Sequence, residues 1–348
     1  MSKTVHQITV VIPVYNVEKY LETSVRSVMN QTFRALKIVC VNDGSTDDSR
    51  AILERLAEED DRIVVINQEN MGLGGARNTG ISVADTEWIS FIDSDDTLRE
   101  DAYEVMSRAL ASDVDMIHFG TEIVMERGGE PQKNDKRYYE VRYEGLTEIT
   151  DTHIMNSDVS SCNKLFRKSI LDKYDIRFDH IRYEDFAFTV KYLSVSKTVW
   201  YVKDKLYNYL RRANSIMNDT FKGTPYSIDH LYSYNYVYEF MVKNNILDEH
   251  KDCMTNFFIS CYWFSVNHGT EEIIPEVEEY ATYLWSKSPL LRDGITKTLV
   301  FAPKYVMKQR TITRILEKAF SIKNEMEGGN LNKVVRLFGV AIYKKSKK

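Results

Sequence analysis

Residues 62–96 read RIVVINQENMGLGGARNTGISVADTEWISFIDSDD, and this stretch decides the fold class. RIVVINQ is rich in β-branched residues and reads as a strand, GGARNTGISVA as a short helix, and WISFID as the next strand. Strand, helix and strand in so short a span are the signature of a crossover between parallel strands. The alternation extends upstream. ITVVIPVYN and LKIVCVNDGS read as two earlier strands, and between them EKYLETSVRSVMNQ repeats Leu21, Val25 and Val28 at helical spacing. TDDSRAILERLAEED then opens on a capping signature at Thr46 and Ser49 before a helical run. The expected fold is α/β, a doubly wound, mostly parallel sheet whose ligands sit at the carboxyl ends of the strands.

Those ends carry the chemistry-bearing residues. FIDSDD (91–96) closes the fourth strand with three carboxylates, and two readings stand side by side. Asp96 or Thr97 can start the helix of LREDAYEVMSRAL. Asp93 and Asp95 can instead hold a hard divalent cation between the protein and substrate phosphates. VNDGSTDDS ends the second strand with Asn42 and Asp43, suited either to the polar edge of a base or to a plain Asx turn. GLGGAR (72–77) invites a dinucleotide reading, but its sixth position is Arg77 and ENM separates it from the strand, so the dehydrogenase fingerprint fails. A glycine-rich turn before a helix still offers N–H groups to a phosphate, with Arg77 adding charge. RYEDFAFTVKYL puts Glu184 and Asp185 at a helix start, a place the helix dipole favours for acids and from which a carboxylate facing a cleft can act as general base. YNYLRRANSI (207–216) gathers Arg211, Arg212, Asn214 and Ser215 on an expected loop whose arginines match a diphosphate. His118 and the other six histidines show no ligand spacing.

Further along, VDMIHFG reads as a strand and TEIVMERGGEPQKNDKRYYEVRY as a hairpin with Gly128, Gly129 and Pro131 in its turn. From about residue 226 the tyrosine-rich HLYSYNYVYEFMVKNN and CMTNFFISCYWFSVNH read as helices. Near the end, Ile312, Ile315, Leu316, Ala319 and Phe320 fall on one helical face. The 348 residues are 43% hydrophobic and 28% charged, and the four cysteines form no CxxC pair, as in a reduced cytoplasmic protein. The short apolar run at the N-terminus is broken by Pro13, so neither a signal peptide nor a membrane span is expected. The net charge of −5 is unevenly spread: residues 296–348 hold 13 Lys and Arg against 3 Glu, and the first 295 residues hold 48 acidic against 33 basic side chains. The acidic bulk argues against nucleic-acid binding, while the basic, amphipathic tail suits an anionic membrane surface at the inner face of the cell membrane.

The order of the motifs is more specific than any one of them. VVIPVYN, VNDGSTDDS, NMGLGGARNTGI, FIDSDD and YEDF, in that sequence, resemble the inverting glycosyltransferases of family 2, which have the GT-A fold. CNKLFRK and YNYLRRANSI continue the resemblance, and VVRLFGVAIYKK is similar to a tail found in bacterial members that build surface polysaccharides. The resemblance implies a nucleoside pocket lined by Pro13, Tyr15, Asn42 and Asp43, and nucleotide or diphosphate contacts from Asn70, Arg77, Asp93, Ser94, Arg212 and Ser215. It implies a metal motif of Asp93 and Asp95 taking Mn²⁺ or Mg²⁺, and Asp185 as catalytic base beside Glu184. Two positions depart from the family pattern: Asn42 stands where Asp is usual, and Leu210 where Arg usually follows the tyrosine. The expected domains are a catalytic nucleotide-sugar domain over 1–225 and a helical region with a basic tail over 226–348. The expected activity is transfer of a hexose or N-acetylhexosamine from a nucleotide sugar, UDP-linked by preference, to a glycan or lipid-linked glycan. Transfer to a polyprenyl phosphate and a non-catalytic sugar-nucleotide module are the rival readings.

Overall fold

Four apolar runs at the head of the chain build the parallel half of one sheet. They are β1 (Ile8–Val14), β2 (Leu36–Asp43), β3 (Ile63–Gln68) and β4 (Trp88–Phe91), with β1 pairing in parallel with both β2 and β4, and β2 with β3. The computed structural model describes residues 8–110, 112–127, 130–134, 141–211, 223–294, 320–327, 330–337 and 340–346. Every residue of β1 and β4 is buried, and all but one of β2, as expected for strands covered on both faces. β3 is the edge strand, and Val64 on it is 39% exposed.

The second half of the sheet comes from β5 (Thr97–Leu98), β6 (Met116–Arg127), β7 (Glu130–Asn134), β8 (Gly145–Glu148), β9 (Lys164–Arg167) and β10 (Thr198–Arg211). The strand order is β3-β2-β1-β4-β9-β6-β10-β5, with β7 against β6 and β8 against β10. β9 runs antiparallel to both β4 and β6, so the sheet is mixed, with its parallel part formed by β1 to β4. The expected hairpin is β6–β7, although Pro131 lies in the second strand opposite Glu126.

Helices α1 (Glu18–Met29), α2 (Ser49–Glu59), α3 (Gly72–Val83), α4 (Ala102–Leu110), α5 (Asp151–Asn156), α6 (Lys168–Lys173) and α7 (Glu184–Val195) punctuate the strands. α1 buries Leu21, Val25 and Val28, the residues whose spacing predicts it. α3 approaches β1 so closely that a Cβ on Gly80 would stand 2.2 Å from a Val11 methyl, which makes one of its glycines a packing requirement. Helices α8 (Asp229–Lys243), α9 (Lys251–His268) and α10 (Ile274–Lys287) form the helical region, with α8 packed on α7 and α9 on α5.

The chain divides into two compact units, Met1–Lys287 and Ser288–Lys348. The second contains α11 (Pro289–Gly294) and a three-stranded antiparallel sheet of β11 (Phe320–Glu327), β12 (Asn330–Leu337) and β13 (Val340–Ser346). Phe320, expected on a helix, therefore opens a strand, while Ile312, Ile315, Leu316 and Ala319 lie outside the described residues. NLNKVVRL and VAIYKKS are short, β-branched runs separated by Phe-Gly, which favours strands over helix. Two other expectations are corrected. α4 starts at Ala102, because Thr97 and Leu98 pair with Asn208 and Tyr207 of β10 instead of opening the helix. For the same reason YNYLR is strand and not loop; Arg212, Asn214 and Ser215 lie outside the described residues. Among the described residues no helix is long and apolar enough to cross a membrane.

Candidate active site

The carboxyl ends of β1 to β4 bring the motif residues to one edge. Pro13 is buried within β1 opposite Val41, and Tyr15 just beyond the strand is 52% exposed. Asn16 follows in the left-handed region at φ 48°, and its side-chain oxygen accepts the Thr46 N–H at 2.8 Å, joining the loops after β1 and β2. Asn42 is buried; its amide nitrogen donates to Asn67 Oδ1 at 2.8 Å and its oxygen accepts the Ser45 N–H at 3.1 Å. It thus shapes the turn from inside. Asp43, 2% exposed, accepts from Gln68 Nε2 at 2.7 Å and from the Met71 N–H at 2.8 Å, fixing the loop that carries the exposed Asn70. Gly44 adopts φ +77°, and a Cβ there would lie 3.1 Å from the Asn70 backbone nitrogen, so this turn requires glycine.

Arg77 departs most from the sequence-based expectation. Rather than facing a phosphate, it is 1% exposed and divides its guanidinium among three carboxylates. Nη1 donates to Glu184 Oε1 at 2.6 Å and to Asp185 Oδ1 at 2.8 Å, while Nη2 donates to Asp93 Oδ1 at 2.8 Å. Its guanidinium carbon lies 5.1 Å from the centre of the Phe178 ring, which stacks on Phe188 at 3.8 Å. This apolar floor excludes water, so burial opposes the arginine's charge, but Asp185 and Asp93 outweigh it and hold its pKa well above the ordinary value. Burial pushes the Glu184 carboxyl up to about 7, even though Arg77 pulls the other way. One buried cation thus links the end of β4 to the start of α7.

Asp185 has a second anchor. Ser161 Oγ donates to its Oδ1 at 2.8 Å and the Ser161 N–H to its Oδ2 at 3.2 Å, leaving a side chain that is 24% exposed. The segment bearing Ser161 is pinned by Lys164, wholly buried, whose Nζ donates to Ser160 O at 2.6 Å and Asn163 Oδ1 at 2.8 Å; burial lowers its pKa to about 8. Cys162 Sγ lies 3.7 Å from Arg77 Nη2. Neither Ser161 nor Lys164 carries a local sequence signal beyond its place in or beside CNKLFRK.

FIDSDD splits by residue. Ser94 and Asp95 form a turn closed by the Asp96 N–H on Asp93 O at 3.0 Å. Asp96 is 1% exposed and accepts from Tyr207 OH at 2.5 Å and the Leu210 N–H at 2.7 Å, so it ties the turn to β10 and does not cap α4. Burial, with Asp95 and Asp93 alongside, pushes its carboxyl well up. A small open cleft adjoins this turn, bounded by Asp93, Asp96, Asp158, Ser160, Tyr207 and Tyr209 among others. Among the described residues no three His, Cys, Asp or Glu side chains could hold an ion by themselves. The donor set fits a divalent cation in a narrower way. Asp93 and Asp95 offer hard oxygen donors in the same short turn, where Asp93 also accepts from Arg77. Asp93 and Asp95 are the residues that would hold such an ion.

The glycosyl transferase family 2 model matches residues 9–175. EpsH of Bacillus subtilis is 32% identical over 268 residues, covering 72% of this chain and 74% of EpsH. Glycosyltransferase GlyG of Streptococcus pneumoniae is 30% identical over 230 residues, covering 62% of this chain and 74% of GlyG. Among solved structures, S. aureus TarS 1–349 in complex with UDP-GlcNAc superposes with a TM-score of 0.56 at 20% identity, over 94% of this chain and 96% of that one. Mannosyltransferase PcManGT from Pyrobaculum calidifontis, in complex with GDP-Man and Mn²⁺, gives 0.50 at 13% identity over 90% and 88%. The last two establish likeness of fold, and with the motif order and the two bacterial relatives they lead to one conclusion: the chain belongs to the family 2 glycosyltransferases.

Proposed function

We propose that this glycosyltransferase moves a hexose or N-acetylhexosamine, with inversion, from a UDP-linked donor to a hydroxyl of a glycan or lipid-linked glycan, as in the building of a surface polysaccharide. The observation that carries this reading is the shared arginine: Arg77 holds Asp93 on the donor side and Glu184 with Asp185 on the acceptor side within one hydrogen-bonded cluster. Tyr15, Asp43 and Asn70 are the proposed nucleoside contacts, with Pro13 and Asn42 shaping the strand ends beneath them. Ser94, Arg212 and Ser215 remain proposed diphosphate contacts from the motif resemblance.

Asp185, oriented by Ser161 and Arg77, takes the proton of the acceptor hydroxyl. The acceptor oxygen bonds to the anomeric carbon as the bond from that carbon to the diphosphate oxygen breaks, and this single displacement inverts the centre. No protein nucleophile is needed. Asp95, with Asp93, would hold the divalent cation, Mn²⁺ or Mg²⁺, whose charge when bound offsets that of the departing diphosphate.

A panel of nucleotide sugars incubated with Mn²⁺ or Mg²⁺ and assayed for UDP release tests the reading. Release from a UDP-hexose or UDP-N-acetylhexosamine is expected, lost on chelation and in Asp95→Asn; full activity in that variant with chelator present would remove the metal assignment. A polyprenyl phosphate acceptor is already an anion, so insensitivity to Asp185→Asn would favour that alternative. The excess of 13 basic over 3 acidic residues in 296–348 supports peripheral association with an anionic membrane. Deletion of 296–348 should therefore reduce co-sedimentation with anionic liposomes, and unchanged partitioning would count against it.

A further inference from the structure

Tyr183, immediately before the acidic pair, sits in the left-handed region at φ 61° and ψ 35°. A bulky side chain adopts this conformation only when its surroundings impose it. Those surroundings come from the helical region. The His230 ring of α8 stacks on the Tyr183 ring at 4.3 Å and 25°, and Phe264 of α9 meets Tyr183 edge-on at 6.2 Å and lies tilted against His230 at 3.9 Å and 48°. Asp229 Oδ2 accepts the Arg182 N–H at 2.9 Å, and the Arg182 guanidinium lies 3.7 Å over the Tyr226 ring. On the far side of the turn, Phe186 packs edge-on against Phe257 at 5.4 Å. His230 Nε2 is buried with no hydrogen-bond partner among the described residues, and the contacts of the ring with Tyr183 and Phe264 are aromatic.

We infer that α8 and α9 are the positioning element of the catalytic pair: His230 and Asp229 clamp the Arg182–Tyr183 turn and thereby aim Glu184 and Asp185 at Arg77 and the acceptor. His230 and Asp229 touch no reacting atom; they act through the backbone that carries Asp185. The inference rests on the reading of Asp185 as base. Within it, the helical region is part of the catalytic apparatus and not an appendage to the nucleotide fold.

The experiment uses the full chain, UDP affinity by calorimetry, and kcat and KM for UDP release from the donor that the panel identifies. His230→Ala should lower kcat by about tenfold to a hundredfold, the scale expected when a reacting group is misplaced, with donor KM and UDP affinity held within about twofold. His230→Phe, which keeps a stacking ring, should recover most of the loss, and Asp229→Ala should act in the same direction as His230→Ala. Retained kcat in His230→Ala would overturn the inference. So would equal losses of kcat, donor binding and folded state in the alanine variants, since that pattern belongs to a merely structural contact. Failure of the wild-type chain to release UDP from any donor would instead refute the proposed function.

Discussion

Asp185→Asn is expected to slow sugar transfer by about 10²- to 10⁴-fold, the range for loss of a positioned general base, while UDP binds as before. Asparagine keeps the shape and one accepting oxygen, but its amide nitrogen must replace an oxygen that accepts from Ser161 or Arg77, so unchanged UDP affinity is the control that separates lost basicity from disturbed geometry. A variant retaining most of its turnover would sink the assignment of the base. The neighbouring Glu184 adds a pH signature. Its carboxyl titrates near 7, and below that pH it is neutral; above it, a second negative charge stands beside Asp185 and strengthens that residue as a proton acceptor. Activity should therefore rise with pH through about 7, and Glu184→Gln should remove this step. The same shift has the opposite sign for stability. Because the folded state holds this proton more tightly than the unfolded state does, the contribution is full below the ordinary value of 4.5 and is lost as pH rises to about 7. Thermal melts of the wild type and Glu184→Gln across that window would expose the difference.

Arg77→Met should be the most destabilising single change at the site. It removes the cation shared by Asp93, Glu184 and Asp185, and burying carboxylates without their partner costs about 3–5 kcal/mol. With an unfolding entropy of about 2.1 cal/mol/K per residue, each kcal/mol is worth about 1.5 °C in a chain of 348 residues, and a fall in Tm of about 4–8 °C follows. Adding Glu184→Gln to Arg77→Met should recover part of the loss, because the amide needs no counter-charge; the two changes are close enough to couple. Lysine is a poor substitute, since its ammonium lacks the planar fork with which Arg77 reaches the carboxylates. A Tm shift below about 2 °C in Arg77→Met would show that water or rearrangement already screens the cluster.

Much of the scaffold was legible because it depends on local pattern. Apolar runs at 8–14, 36–43 and 88–91 read as strands covered on both faces, the run at 63–68 is the more exposed edge strand, and Leu21, Val25 and Val28 face the core. The site was legible to the extent that parallel strands all end at one edge, which brings Tyr15, Asp43, Asn70 and Asp93 together without knowledge of any contact. Arg77 was read as a phosphate ligand because a surface arginine and a buried one look alike in sequence. Its partners Glu184 and Asp185 lie more than a hundred residues away, and no local spacing reports them. Asp96 was misread for the same reason, since its partners are Tyr207 and Leu210 on a strand that follows much later. The strands at 320–346 were missed where a basic apolar stretch fits a helical face and a strand about equally well.

By itself, then, the sequence determined the alternation of strands and helices, the edge at which the motifs gather, and, through the order of those motifs, the family. Tertiary structure alone decided that Arg77 is enclosed, that Asp96 braces β10 while Asp93 and Asp95 remain at the turn, and that helices after residue 226 hold the turn before Asp185. The division follows from range. Periodicity and turn chemistry act within a few residues, whereas the charge state and aim of a buried side chain depend on groups that only folding brings within hydrogen-bond distance.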